Sequence, residues 1–191
     1  METLLSVPPA LAAQFHTLFE HSNEGIFVAH DPVDKKLGSG GGTAHLAVEA
    51  WKHAATGESF EAWIEDSKRL IVHAGGQSRR LPAYAPSGKA IVPIPVFRWM
   101  SGQRINQTLL DLQSPLLRGL LEKSSDRQKW LIASGDVLVW HNRSLPEIPD
   151  VDVLCVGIPE SPETASGHGV FFTSQQDPTQ LQYMLQKPST S

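Results

Sequence analysis

Leu70–Pro95 reads LIVHAGGQSRRLPAYAPSGKAIVPIP. Its first residues, Leu70–Val72, are a short apolar run of the kind that makes a buried strand. The run empties into Gly75 and Gly76, and Gln77 and Ser78 lead on to Arg79 and Arg80. A loop punctuated by Pro82 and Pro86 then carries Lys89 into a second apolar run, Ala90–Ile94. Glycines let a backbone approach a ligand closely and present N–H donors. Arginine and lysine beside them ask for an anion, above all a phosphate. The stretch reads as a nucleoside-triphosphate loop hung from a strand.

The charge pattern around it agrees. The 191 residues carry a formal net charge of −4, so the molecule as a whole is not built for nucleic acid. Between Ser67 and Leu110, however, there are seven Lys/Arg (Lys68, Arg69, Arg79, Arg80, Lys89, Arg98, Arg104) and no Asp or Glu. Such a local positive field can hold an anionic substrate. A basic nucleic-acid module would interleave aromatic residues with its cations. Here only Tyr84, Phe97 and Trp99 fall in the segment, and glycine and proline dominate. Apolar residues make up 40%, enough for one well-cored domain. The single cysteine, Cys155, allows no intrachain disulfide and sits in the apolar run Val153–Ile158, which reads as a strand with an inert core thiol. The start, METLLSVPP, has no basic n-region, and no apolar run approaches the roughly 20 residues that span a bilayer. These features predict a cytoplasmic protein with no membrane partner.

Periodicity places the rest. Pro8 and Pro9 suit a helix start, and Leu11, Phe15, Leu18 and Phe19 share one face of a helix over 9–21. Glu24–Ala29 reads as a strand and Asp31–Gly42 as a loop, with Thr43 capping a helix over 44–55. A short helix over 60–66 precedes the strand 69–73. Leucines at 109, 110, 112, 116, 117, 120 and 121 predict a helix across 106–123, which Pro115 must kink or divide. Strands are predicted over 129–133, 137–140 and 151–158, and more weakly over 169–173 and 181–185. Strand, helix, strand around the basic loop implies an α/β fold with a parallel sheet. Eight scattered histidines show no paired ligand spacing, so no zinc site is expected.

Two common phosphate loops do not fit. A Walker loop would need glycine at Ala83 and a hydroxyl at Ala90, and the dinucleotide fingerprint fails after Gly75-Gly76. What remains, G-G-x-x-x-R-L-P with a lysine and a proline following, resembles the signature of sugar-nucleotide pyrophosphorylases. Gly75, Gly76, Arg80, Leu81, Pro82, Lys89 and Pro93 carry that likeness. HAGGQSRRLPAYAPSGK with VPIPVFRW (92–99) is similar, more narrowly, to the pyrophosphorylase part of the bifunctional L-fucokinase/GDP-fucose pyrophosphorylases. DPVDKKLGSGGGTA (31–44), LIASGDV (131–137) and LQYMLQKPS (181–189) extend the likeness along the chain.

The resemblance implies a Rossmann-like, glycosyltransferase-A-like nucleotidyltransferase fold, a mostly parallel sheet flanked by helices and incomplete at the C-terminus. It treats 1–191 as the N-terminal portion of one such domain, with 1–66 a helical segment that includes a glycine-rich loop over 37–43. It implies GTP and L-fucose 1-phosphate as substrates, Mg²⁺ as cofactor, and GDP-L-fucose and pyrophosphate as products. Arg80 and Lys89 would be the catalytic cations on the triphosphate, with Gly75, Gly76, Gln77, Ser78 and Arg79 around the nucleotide. Gly40 and Gly41 would cover it, or else form a plain flexible loop. Asp136, directly after the strand 129–133, would hold the metal; a turn-forming Asp is the alternative. Lys187 would bind the sugar phosphate, with His168 and Gly169 lining the sugar pocket or merely making a turn. The competing expectation is an inactive relative that binds nucleotide only.

Overall fold

The computed structural model describes residues 1–18, 25–35, 37–75, 88–94, 106–139, 144–145 and 147–189. They form two compact units, Met1–Asp152 and Val153–Ser191.

The first unit holds β1 (Glu2–Ser6), α1 (Pro9–Leu18), β2 (Ile26–Ala29), α2 (Gly38–Ala54), α3 (Phe60–Asp66), β3 (Arg69–His73), α4 (Leu109–Lys123) and β4 (Trp130–Ser134). The strands make one sheet in the order β2-β1-β3-β4. Every pairing is parallel, with Leu4 opposite both Phe27 and Ile71, and Ile71 opposite Ile132. Helices cover both faces. Leu5, Leu70 and Val72 meet Leu11 and Phe15 of α1 and Leu110 and Leu121 of α4 on one side. Leu4 and Ile71 meet Leu46, Ala47 and Ala50 of α2 and Trp63 of α3 on the other. This is the expected α/β architecture, a parallel sheet flanked by helices. Among the described residues no helix is long and apolar enough to cross a membrane.

β1 lies outside every strand expected from the sequence. ETLLS is too short to show a period, and its adjacent Leu4 and Leu5 break the alternation of a half-buried strand. They do so because a central parallel strand is buried on both faces. The N-terminal segment 1–66 therefore supplies two sheet strands, β1 and β2, besides its helices.

The glycine run is not a loop either. α2 begins at Gly38, so Gly38–Gly42 are helical and Thr43 lies inside the helix rather than capping it. Glycine weakens a helix interior by about 1 kcal/mol per residue. The buried stripe Leu46–Ala47–Ala50 offsets that by docking the helix on the sheet. At Gly42 the fit is tight, since a Cβ would lie 3.2 Å from Asp31 Oδ1.

α4 is one helix with Pro115 inside it, not two. An interior proline costs about 3 kcal/mol, and the burial of Leu110 and Leu121 carries the helix across the lost hydrogen bond. Thr108 caps its start: Oγ1 accepts from the Asp111 amide at 3.2 Å, while Asp111 Oδ2 accepts from the Thr108 amide at 2.8 Å.

Two cations of the basic segment serve the fold. Arg69 is buried, stacks over Trp63, and donates to Glu2 at 3.1 Å and to the Trp63 carbonyl at 2.6 Å. Lys68 Nζ donates to the Leu121 and Ser124 carbonyls at the end of α4.

The second unit holds a four-residue helix, α5 (Pro162–Ala165), and an antiparallel pair, β5 (Gly169–Thr173) and β6 (Leu181–Gln186). Phe172 stacks on Tyr183 across it at 4.8 Å. The apolar runs 137–139 and 151–158 form no strand, Trp140 lies outside the described residues, and Cys155 is exposed rather than buried. An apolar run becomes a strand only where an edge is free to pair with it, and among the described residues neither run finds one.

Candidate functional site

Ligands of open α/β sheets collect outside the carboxyl ends of the strands, where the strand order reverses. Here the chain passes from β1 to β2 on one side and then to β3 on the other, so the reversal falls between β1 and β3. The Ala74 amide donates to the Ser6 carbonyl at 2.7 Å and carries the pairing one residue past the end of β3. From this point the basic loop leaves at Gly75 and returns at Gly88.

The two ends of the loop are held differently. Gly75 sits against Ser6 and Val7, with room for ordinary contact. Gly88 has φ +68°, and a Cβ there would lie 3.1 Å from the Ala74 carbonyl and 3.3 Å from Pro8. Only glycine fits the return. Lys89–Ile91 then makes a single 3-10 turn whose Ala90 is buried against the core. Gly76, Gln77, Ser78, Arg79 and Arg80 lie outside the described residues.

Lys89 and Asp136 are brought together. Lys89 Nζ donates to Asp136 Oδ2 at 2.8 Å, and Ser134 Oγ donates to Oδ1 at 2.7 Å. The Lys89 bond, and then the Ser134 hydroxyl, hold the Asp136 carboxyl below the usual carboxylate range. Both side chains remain open to solvent, Lys89 at 32% and Asp136 at 43% exposure, so a ligand can reach either. The turn behind Asp136 is tight: Gly135 donates its amide to the His73 carbonyl at 2.8 Å.

The start of α2 borders the same edge of the sheet. Thr43 Oγ1 donates to the Ser39 carbonyl at 2.9 Å and stands 2.7 Å from His73 Nε2. With that hydroxyl proton spent, His73 is left to donate from Nε2. Burial pushes the His73 pKa down, and the nearby Asp31 carboxylate opposes the shift. Both glycines of this helix start that the resemblance places near the nucleotide are described. At Gly41 the Leu37 Cβ stands 3.1 Å from where a side chain would begin, whereas nothing lies within 4 Å of the equivalent point of Gly40.

In the second unit Lys187, His168 and Gly169 meet at one end of the ribbon. The Lys187 amide donates to the His168 carbonyl at 2.8 Å, and Gly169 pairs with Gln186. Lys187 has φ +51°, a left-handed conformation that lysine rarely adopts. A Cβ on Gly169 would lie 2.5 Å from Met184 Cε, so the Met184 side chain would have to move to admit one.

The donor set suits Mg²⁺ in one respect. Asp136 offers a solvent-open carboxylate, and Mg²⁺ is commonly held by one or two carboxylates together with substrate phosphates. Among the described residues no three His, Cys, Asp or Glu stand together as a metal cage. The fit is therefore to a cation shared with a phosphate. Sequence reading passes over Gly88, Ser134 and Gly135. The Gly-Lys pair and Ser-Gly-Asp are visible signals, but only packing shows why they matter.

The fucose pyrophosphorylase domain profile matches residues 62–191. The chain is 48% identical over 189 residues to an L-fucokinase/L-fucose-1-P guanylyltransferase of Bacteroides fragilis, covering 99% of this chain and 20% of that protein. It is 26% identical over 180 residues to a bifunctional fucokinase/GDP-fucose pyrophosphorylase of Arabidopsis thaliana, covering 83% of this chain and 17% of that one. The chain thus spans about one fifth of the length of these relatives. No solved structure matches it. With a parallel sheet whose strand order reverses where the basic loop leaves it, and this span of matched sequence, the chain belongs to the fucose pyrophosphorylase domain family.

Proposed function

We propose that the chain forms the nucleotide-handling part of an enzyme that joins L-fucose 1-phosphate to GTP, giving GDP-L-fucose and pyrophosphate. One observation carries this reading. Lys89, at the return of the basic loop, and Asp136, at the end of β4, meet in a solvent-open ion pair beside the exit of β3.

A phosphate oxygen of the sugar phosphate attacks the α-phosphorus of GTP in line. The bond from that phosphorus to the bridging oxygen breaks, and pyrophosphate leaves with the electron pair. No protein nucleophile is needed, so the chain's work is orientation and charge neutralisation. Lys89 exchanges its Asp136 partner for the β- and γ-phosphates. Arg80 assists from the loop, in the role the family resemblance gives it. Gly75, Gly76, Gln77, Ser78 and Arg79 line the nucleotide, and Gly40 and Gly41 approach it from α2. The family resemblance gives Lys187, with His168 and Gly169, the sugar-phosphate role. Mg²⁺, held by Asp136 and the phosphates, would offset charge at the reacting phosphoryl group. The same reading assigns the enzyme to the cytoplasm, which suits an exposed free thiol at Cys155.

Calorimetric titration of the protein with GTP and Mg²⁺, followed by a pyrophosphate-release assay with L-fucose 1-phosphate, tests the proposal. Binding and turnover are expected, and Lys89→Ala should lower turnover about 10²–10³-fold. Binding without turnover would favour a nucleotide-binding relative, and absence of both would sink the assignment.

A further inference from the structure

α4 and the residues just before it bond to the two segments that carry Lys89 and Asp136. The Leu109 amide donates to the Val92 carbonyl at 3.0 Å, and the Ile94 amide to the Gln107 carbonyl at 2.7 Å. Leu110 is buried in one cluster with Ala90. These contacts pin the segment that carries Lys89. One turn along the helix, Gln113 is buried at 4% exposure. Its Nε2 donates to the Gly135 carbonyl at 3.2 Å, one residue before Asp136.

Gly135 is thereby held at both of its polar groups. β3 accepts its N–H through the His73 carbonyl at 2.8 Å, and α4 donates to its C=O. There is no slack between the two. A Cβ on Gly135 would lie 2.9 Å from Ala74 Cβ and 3.0 Å from the His73 carbonyl oxygen. A buried amide in a helix face otherwise made of leucine is costly unless it is bonded. Its place is explained by the carbonyl it reaches.

We infer that Gln113 is a positioning residue: it locks the Gly135 turn so that Asp136 faces Lys89 when substrate arrives. This rests on the reading of Lys89 and Asp136 as the pair that handles phosphate and cation. α4 then acts as a bracket, with the lysine segment tied to its first turn and the aspartate turn tied to its second.

Gln113→Met keeps the length and apolar body of the side chain and removes the donor. The Gly135 amide should exchange with solvent about tenfold faster in this variant, while the amides of β1 and β3 keep their protection. Turnover should fall about 10–100-fold with KM for GTP little changed, the mark of lost alignment rather than lost binding. Gly135→Ala strikes the same turn from the β3 side and should give the same pattern, and it stands in if Gln113→Met folds poorly. Unchanged Gly135 exchange, or equal acceleration across the whole sheet in both variants, overturns the inference. If the unsubstituted protein shows no guanylyltransferase activity, the reaction assignment fails, yet the exchange measurement still decides whether Gln113 holds the turn.

Discussion

At the residue scale, the ion pair between Lys89 and Asp136 sets a measurable acid limb. Asp136 has a depressed pKa in the folded state, chiefly through Lys89 and then Ser134. A depressed carboxyl adds stability that is present above its unfolded value, near 3.9, and is lost as pH falls through the folded one. Both partners are about a third or more exposed, so the contribution is small, below about 1 kcal/mol. Urea denaturation of the protein and of Asp136→Asn should therefore show a modest gap at pH 5–7 that closes below about pH 4. A gap that widens toward acid would contradict the pairing. The pair itself is half legible in the sequence. Lys89 stands out there as a cation after a glycine and Asp136 as a carboxylate directly after a strand. Their meeting is not, because 47 residues separate them and only the parallel register of β3 with β4 brings them together.

At the scale of elements, the capping box decides how well α4 keeps its place. Thr108 and Asp111 satisfy each other's amides, and Thr108 sits where the Lys89 segment bridges back through Pro93. Thr108→Ala should cost about 1–2 kcal/mol of stability, read as a lower urea midpoint with an unchanged slope. A loss near zero would mean that packing alone holds the helix start. The leucine period makes α4 visible, yet the same period hides Gln113 as a gap in the stripe. The glycine run misleads for a related reason. Glycine signals loop by its own preference, and the helix there rests on the buried stripe Leu46–Ala47–Ala50 that docks it on the sheet.

At the scale of the molecule, β1 and β3 form the centre of the sheet, and each faces helices on both sides. Leu5 is fully buried between the sheet and α1. Leu5→Ala should cost about 2–5 kcal/mol, measured as a fall in unfolding free energy. A smaller change would mean that the site collapses around the cavity. The α/β class is readable from the order of periodic segments. The strand at Glu2–Ser6 is not, because a strand buried on both faces has no alternation to read. The order β2-β1-β3-β4 also has a consequence for synthesis. β1 can pair with β2 once about twenty further residues have emerged, but its other edge stays open until β3 is made, beyond residue 69. At translation rates of about 5–20 residues per second, the nascent chain would hold a half-paired Leu4–Leu5 strand for several seconds. Throughout that interval the open edge of β1 would be available to a chaperone on the ribosome.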